Sequence, residues 1–128
     1  MDPIAQMLNG IKNAQAASRE TVSFAFSNFK HELLKILEKF HFVGKVEKKG
    51  RGAKKTLEVA LKYENGLPAV SGFKKISKSS QRIYLGAKRI KSTKRGSGIV
   101  VVSTSKGLMP VFEAKKKNLG GEVICEIW

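Results

Sequence analysis

The sequence has a single cysteine among its 128 residues, which excludes a fold held together by internal disulfide bonds. That residue, Cys125, lies in an apolar, strand-like segment, so we interpret it as a small core residue in a reducing compartment. No apolar run approaches the roughly 18 residues that a membrane-spanning helix needs. The first residues form a helical pattern with an acidic residue and lack the apolar core of a signal peptide. These absences favour a cytoplasmic protein.

The sequence also lacks the motifs of common enzyme classes. It contains neither of the glycine-rich phosphate-binding patterns GxxxxGK[ST] and GxGxxG, and no paired carboxylates with a histidine nearby. His31 and His41 are isolated from any second ligand at metal-binding spacing, so we expect surface or packing roles and no metal or other cofactor. No candidate base adjoins Ser103 or Ser105, which argues against nucleophilic catalysis. We expect neither an enzyme nor a protein that binds a small-molecule substrate.

Acidic residues are scarce relative to basic ones. Lys and Arg number 25 and Asp and Glu 10, which gives a formal net charge of +15. A globular chain this basic is typical of proteins that bind a polyanion, because each neutralised phosphate releases a condensed counterion. Residues 1–65 hold 12 basic and 7 acidic side chains, whereas residues 66–128 hold 13 and 3. We therefore expect the second half to bind the anion.

The first half of the sequence predicts two amphipathic helices. The first begins at Asp2-Pro3, because aspartate can cap a helix and proline fits its first position. The second is capped by Ser27 and extends to about Phe42. Apolar residues at helical spacing form a buried stripe on each helix: Ile4, Met7, Leu8 and Ile11 on the first, and Phe29, Leu33, Leu34, Ile36, Leu37 and Phe40 on the second.

Short alternating segments predict the strands. Those of the first half are Thr21–Phe26, Val43–Lys48 and Thr56–Tyr63. Those of the second half are Ala69–Ile76, Arg82–Leu85, Ile99–Thr104 and Glu122–Trp128, with a short helix around Val111–Lys117. A cluster of turn residues at Glu64–Pro68 is the best internal boundary. We expect two subdomains, residues 1–65 with both main helices and residues 69–128.

Two connections are basic and rich in glycine. The segment Gly86–Gly98 holds five basic residues and three glycines, and we expect it to be exposed and flexible. The loop Lys48–Lys55 is similar and includes Lys54 and Lys55. It can contact phosphates, or it can simply keep the end of a strand soluble.

The most informative stretch is Ile99–Met109, with the sequence IVVVSTSKGLM. Its first four residues predict a strand buried on both faces. Three hydroxyls, a lysine and a glycine follow at once, namely Ser103, Thr104, Ser105, Lys106 and Gly107. Polar groups at the end of a buried strand are held in fixed positions, as a precise binding site requires. A solvated turn is the alternative, because Ser and Thr hydrogen-bond their own backbone in loops.

Several motifs resemble those of one family, the bacterial-type small-subunit ribosomal protein S8 family. They are STSKGLM at Ser103–Met109, GGEVICEIW at Gly120–Trp128, DPIAQMLNGIKNA at Asp2–Ala14 and RIY at Arg82–Tyr84. The resemblance covers nearly the whole chain. It implies an α+β fold of two small subdomains. The N-terminal one has two helices packed on a short β-sheet, and the C-terminal one is mainly antiparallel β with a short helix.

The resemblance also implies a function and a set of contact residues. The family binds the central part of small-subunit ribosomal RNA early in assembly, mainly through its C-terminal subdomain. Matched position by position, the implied RNA-binding residues of that subdomain are Ser103, Thr104, Ser105, Lys106, Gly107, Arg82, Tyr84 and Glu122. In the N-terminal subdomain they are Asp2, Pro3, Lys12 and Asn13, to which we add Lys54 and Lys55 of the basic loop. The Gly120-Gly121-Glu122 turn is expected to pack against the STSKG segment.

Three positions depart from the family pattern. Pro110 stands where a hydroxyl usually caps the short helix; proline can still open that helix at its first position, with Met109 a poor cap. Gly10 replaces a usual arginine, which weakens the RNA contact expected there. Glu126 occupies a commonly aromatic position, so a stacking role at that position is in doubt.

We therefore expect a non-catalytic ribosomal RNA-binding protein, located in the small ribosomal subunit beside neighbouring ribosomal proteins and without a membrane partner. The charge alone also allows a general nucleoid-type DNA-binding protein. That class predicts a basic helix that enters a groove, whereas the most basic segments here are loops. A third class is an adaptor whose basic face binds acidic proteins.

Overall fold

The computed structural model describes residues 3–76, 84–85 and 98–128, with only the backbone described for Tyr84 and Leu85. The chain divides into two compact units, Pro3–Val70 and Ser71–Trp128. Both units combine helices with sheets whose described strands all pair antiparallel, so the predicted α+β class is confirmed. No helix within the described residues is long and apolar enough to cross a membrane.

The first unit contains two helices, a three-stranded sheet and a small hairpin. Its elements are α1 (Pro3–Ala16), β1 (Thr21–Ala25), α2 (Asn28–Lys39), β2 (Val46–Lys49), a 3-10 turn (Gly52–Lys54), β3 (Thr56–Ala60), β4 (Tyr63–Glu64) and β5 (Leu67–Pro68). The strands β1, β3 and β2 pair antiparallel in that order. The predicted apolar stripe of α1 is buried, and Leu33, Leu34 and Leu37 of α2 are fully buried.

The register of this sheet decides which side chains meet the helices. Residues directly opposite each other in paired strands project from the same face. Val22, Val59 and Val46 form one such row, and Phe24, Leu57 and Lys48 form the next one on that face. A β-carbon on Gly10 of α1 would lie 2.8 Å from the Phe24 ring. The apolar rows therefore form the face against which α1 packs, and the glycine leaves room for that ring.

All three helices of the described chain end in the same way. The residue after the C-cap adopts positive φ, and it is Ser18 after α1, His41 after α2 and Asn118 after the third helix. The next amide donates to a carbonyl five residues earlier, for example Phe42 N–H to the Leu37 oxygen at 2.9 Å. These are Schellman motifs. The prediction that α2 extends to Phe42 is therefore wrong by three residues, because this backbone reversal ends the helix at Lys39.

Two predicted strands of the first unit are also too long. The strand predicted at Val43–Lys48 begins at Val46, because the Val43 amide still bonds to the Leu37 carbonyl of the helix end. The strand predicted at Thr56–Tyr63 stops at Ala60. Tyr63 instead begins a hairpin with Asn65 and Gly66 at its turn, both at positive φ. This is the conformation of a type I′ turn, which asparagine and glycine favour.

The second unit is an antiparallel sheet with one short helix. Its elements are β6 (Phe73–Lys75), β7 (Tyr84–Leu85), β8 (Ile99–Thr104), β9 (Gly107–Pro110), α3 (Val111–Lys116) and β10 (Gly121–Ile127). The strand order is β6-β10-β8-β9, and β7 also pairs with β10. Val100, Val102, Met109 and Val123 form a core with Val111 and Ala114 of α3. Cys125 is buried, as predicted.

The sequence patterns gave β8 correctly but missed its partner β9. Residues 99–102 are buried, as the apolar run predicted, yet the chain after Ser105 returns as a strand instead of a loop. The strand predicted at Ala69–Ile76 forms at Phe73–Lys75 alone. Residues 82–83 of the strand predicted at Arg82–Leu85 lie outside the described residues. So does most of the predicted flexible connection, residues 86–97.

Gly121 is a position where we expect a small change to disturb the second unit. A β-carbon there would lie 3.2 Å from the Thr104 α-carbon and would collide with the Ser103 carbonyl oxygen, both of which are backbone atoms. We expect Gly121→Ala to lower the free energy of unfolding by about 1–3 kcal/mol. Urea unfolding followed by fluorescence of Trp128, the one tryptophan, measures this. Gly66→Asn is the control, since Gly66 has open space around it and asparagine tolerates its positive φ. An unchanged midpoint in Gly121→Ala would contradict the prediction.

Candidate nucleic-acid interface

The predicted STSKG segment forms the tip of a tight β-hairpin. Thr104 pairs with Gly107 at the end of the β8–β9 ladder, so Ser105 and Lys106 alone make the turn. Neither of these two residues has positive φ, whereas Gly107 has a φ of 106°. A hairpin turn of this kind needs a residue with positive φ where the second strand begins, and glycine adopts that conformation without strain.

The Thr104 hydroxyl fixes the shape of this turn. This hydroxyl donates a hydrogen bond to the Gly107 carbonyl at 2.9 Å, and its oxygen accepts one from the Lys106 amide at 3.1 Å. The threonine side chain thus bonds the second residue of the turn and the first residue of β9, and local bonds of this kind are common for Ser and Thr. The hairpin tip is therefore held from within, and the hydroxyl of Thr104 is largely engaged by its own backbone.

The other polar side chains of the hairpin have no partner among the described residues. Within the described residues, the hydroxyls of Ser103 and Ser105 make no hydrogen bond and the Lys106 ammonium makes no ion pair. Ser105 and Lys106 are exposed, and Ser103 is half-buried. The alternative interpretation is a solvated turn stabilised by its own hydroxyls. It accounts for Thr104, whose hydroxyl bonds the turn, but within the described residues it gives Ser103 and Ser105 no hydrogen bond that stabilises the hairpin.

The sheet brings further predicted residues beside this hairpin. Ser103 lies opposite Glu122 of β10, and Glu122 lies opposite Tyr84 of β7. Three strands thus contribute backbone positions to one row. The side chains of Ser103 and Glu122 lie on the face of the sheet opposite to α3, because the neighbouring row of Val102 and Val123 packs against that helix. The expected contact of the glycine pair with the hairpin is also present, at Gly121. Gly121 and Glu122, however, belong to strand β10 instead of a turn.

The first unit holds the remaining predicted residues that are described. Pro3, Lys12 and Asn13 are exposed on α1, and Lys54 and Lys55 are exposed at the end of the 3-10 turn. Asp2 and Arg82 lie outside the described residues. All of these described residues belong to the first unit.

The loop before β3 presents a basic and aromatic group that the sequence patterns missed. The Phe26 amide donates to the Lys55 carbonyl at 3.1 Å. The ammonium groups of Lys48 and Lys55 lie 5.4 Å and 5.0 Å from the centre of the Phe26 ring. His31 packs against the same ring, with 6.0 Å between the ring centres. The basic loop Lys48–Lys55 was recognised in the sequence as a possible phosphate contact. Phe26 and His31 are more than 15 residues away along the chain, so no local pattern connected them with this loop.

The positions that depart from the family pattern have local explanations. Pro110 is the N-cap of α3 instead of its first residue, and it provides no side-chain cap; it is also the last residue of β9. Gly10 lies against the Phe24 ring, where a larger side chain would need that ring to move. Glu126 lies in β10 opposite Lys74 and Val100, so it is a sheet residue between two strands.

Comparison with known proteins agrees with the motifs. The family model of ribosomal protein S8 matches residues 2–128. The small ribosomal subunit protein uS8 of Mycoplasmopsis agalactiae is 44% identical over 127 residues, covering 99% of this chain and 97% of the relative. Those of Kosmotoga olearia and Mesomycoplasma hyopneumoniae strain 7448 are 43% and 42% identical, covering 99% of this chain and 98% and 96% of the relatives. The chain therefore belongs to the ribosomal protein S8 family, a family of structural proteins and not of enzymes.

Proposed function

We propose that this chain binds the central part of small-subunit ribosomal RNA, as a structural protein of the small ribosomal subunit, and helps the RNA to assemble. The observation that carries the proposal is the hairpin at residues 103–107. Its turn is fixed by Thr104, while the side chains of Ser103, Ser105 and Lys106 make no hydrogen bond or ion pair with the described part of the chain. A rigid turn with free donors and acceptors loses little entropy when it binds.

The chemistry of the hairpin suits folded RNA. The deep major groove of an RNA helix is closed to side chains, whereas its shallow minor groove and irregular regions offer 2′-hydroxyls and base edges. A serine hydroxyl can donate to or accept from either group. We assign specificity to Ser103 and Ser105, a phosphate contact to Lys106, and the holding of the turn to Thr104.

Glu122 has a different part in this proposal. Its carboxylate is half-buried beside Ser103 in the row that also contains Tyr84. A carboxylate accepts hydrogen bonds only, and it repels phosphates. We propose that Glu122 accepts a hydrogen bond from a base amino group or orders the hairpin, so that RNA docks through a base edge at this point.

Basic residues outside the hairpin supply affinity that depends little on sequence. In the second unit these include Lys115 and Lys116 of α3, and in the first unit Lys12, Lys54 and Lys55, all of them exposed. Other surfaces remain for neighbouring ribosomal proteins, which we propose as further partners. No cofactor is needed for this function, and within the described residues no group of three or more His, Cys, Asp or Glu side chains could hold a metal ion.

The net charge of +15 gives a first prediction. If RNA binding neutralises roughly 4–8 phosphates, the logarithm of the affinity falls with the logarithm of the salt concentration at a slope of about −3 to −7. A binding titration with a structured ribosomal RNA fragment measures the slope. Competition with duplex DNA and heparin at one salt concentration separates this function from a nucleoid-type protein or an acidic-partner adaptor. A nearly flat titration would contradict the prediction.

The hairpin gives a second prediction. Ser105→Ala should leave an RNA group unpaired and weaken binding by on the order of 1–3 kcal/mol, roughly 5- to 150-fold, without changing the salt slope. Lys106→Ala should instead weaken binding to all RNAs and make the slope shallower by about one. Both affinities are measured over a salt series.

Two substitutions elsewhere in the second unit serve as controls for that experiment. Ser71→Ala removes an exposed serine whose amide donates to the Trp128 carbonyl, just beyond the end of β10. Lys117→Ala removes a lysine that pairs with Glu113 at 3.2 Å. If Ser105→Ala keeps both its melting temperature and the parental affinity, as Ser71→Ala should, then Ser105 does not determine specificity.

The internal bonds of the turn give a third prediction. Thr104→Val keeps the shape of the side chain but removes the hydrogen bonds to Gly107 and Lys106. We expect the free energy of unfolding to fall by about 0.5–1.5 kcal/mol, and the RNA affinity to fall as well because the turn is no longer fixed. Ser105→Ala, in contrast, should leave stability unchanged. Thermal unfolding, measured together with RNA binding, distinguishes a residue that holds the turn from one that contacts the RNA. A Thr104→Val variant with parental stability would contradict the proposal that Thr104 holds the turn.

A further inference from the structure

Four side chains of the first unit meet at the beginning of α2, and we name them the Phe26 cluster: Phe26, His31, Lys48 and Lys55. They come from the end of β1, the first turn of α2, the end of β2 and the residue before β3. The two ammonium groups lie 5.4 Å and 5.0 Å from the centre of the Phe26 ring, and the imidazole ring centre lies 6.0 Å from it. Three basic residues thus surround one aromatic ring.

The backbone explains why Lys48 reaches this position. Lys48 pairs with Leu57 of β3, in the row that continues to Phe24. This row belongs to the face of the sheet that carries Phe24 and Leu57, so the side chain of Lys48 leaves the sheet on that face, where it is exposed. Lys49, one residue later, projects from the other face, where it pairs with Glu58 at 3.0 Å.

Within the described residues, the two ammonium groups of the cluster have no carboxylate partner, whereas the charges of Glu32 and Glu38 act on His31. The two ammonium groups lie 5.4 Å and 5.0 Å from the same ring centre. Their separation is therefore no more than about one Debye length, roughly 10 Å at 0.1 M salt, so salt does not fully screen one charge from the other. Three nearby carboxylates pair with other lysines of the described chain. These pairs are Glu58 with Lys49, Glu47 with Lys45, and Glu38 with Lys35. Such a cluster is complementary to an anion.

The environment of His31 makes its charge sensitive to such an anion. Burial lowers the pKa of His31 below its usual value of 6.5, and the charges of Lys48 and then Lys35 lower it further. Glu32 and Glu38, on the same helix, oppose this effect. Without a bound anion, the imidazole therefore takes up its proton at a lower pH than an ordinary histidine does. A phosphate bound between the lysines acts in the opposite direction, because a nearby negative charge favours the protonated imidazole.

We propose that the Phe26 cluster is a second site for an RNA backbone phosphate, and that His31 takes up a proton when the phosphate binds. Because ammonium groups already lie over the ring, the cluster suits a phosphate better than a stacked base. The inference rests on the proposed RNA-binding function, and it adds a pH dependence that the hairpin does not provide. Protonation and phosphate binding favour each other, so affinity rises as the pH falls through the pKa of His31.

The first experiment measures the affinity of the full chain for the structured RNA fragment at constant salt, at about pH 8 and about pH 5.5, which bracket the titration of histidine. A rise of about half a unit to one unit in the pKa of His31 on binding sets an upper limit of about three- to tenfold on the gain. This limit is approached as the pH falls below the pKa of the free chain, so we expect a gain of more than about twofold at the lower pH. In His31→Gln the gain should fall below about twofold. His41→Asn is the control that keeps the gain, since His41 is exposed and asparagine tolerates its φ of 66°.

The second experiment tests the lysines with matched variants. Lys48→Gln and Lys55→Gln should weaken RNA binding and make the salt slope shallower by about one each. Lys49→Gln removes the same charge from the next residue of β2, but its ammonium is already paired with Glu58 on the other face, so the slope should stay unchanged. Equal effects of Lys48→Gln and Lys49→Gln would overturn the proposal.

Nuclear magnetic resonance titration of the His31 imidazole reads the proton uptake directly, in the free chain, with the RNA fragment and with inorganic phosphate alone. A higher pKa of His31 with RNA supports the inference. RNA binding that leaves the pKa of His31 unchanged overturns the inference but not the proposed function. If the chain does not bind the RNA fragment but inorganic phosphate raises the pKa of His31, the proposed function is overturned. The Phe26 cluster is then a site for an anion other than this RNA.

Discussion

The pairing of β8 with β10 is the constraint on which the candidate RNA interface depends. Glycine at position 121 lets the β10 backbone approach the carbonyl of Ser103, where a β-carbon would collide with it. This close approach fixes Ser103 opposite Glu122, and through Glu122 it aligns Tyr84 of β7. The hairpin tip extends from the same strand, so its position follows from the same register. A shift of β10 by one residue would turn the Glu122 carboxylate toward the core face and away from Ser103.

Charge is distributed in a way that leaves particular lysines available. On the sheet of the first unit, Lys49 and Lys45 use the nearby carboxylates, and on α2 the pair Lys35–Glu38 does the same. Exposed pairs of this kind contribute little to stability. These pairs compensate the charges of Lys35, Lys45 and Lys49, whereas Lys48 and Lys55 beside Phe26 make no ion pair within the described residues.

The sequence by itself determined the helices, the buried strand and the family. The apolar stripes of α1 and α2 have helical spacing, and a continuous run of valines requires burial on both faces, so both patterns depend on near neighbours alone. The candidate residues of the hairpin followed from the family motif at Ser103–Met109. Local composition was sufficient for these features because each is encoded within a short stretch of chain.

Only the tertiary structure decided where elements end and which distant residues meet. The helix ends depend on Schellman bonds at Ser18, His41 and Asn118, none of which is the glycine that would have signalled them. The sequence patterns missed strand β9 because its few apolar residues do not form a strand pattern by themselves; the strand forms through its pairing with β8. The Phe26 cluster joins residues up to 29 positions apart, and the row of Tyr84, Glu122 and Ser103 joins three strands. Cross-strand register and non-local packing bring these groups together, and no local pattern in a sequence records them.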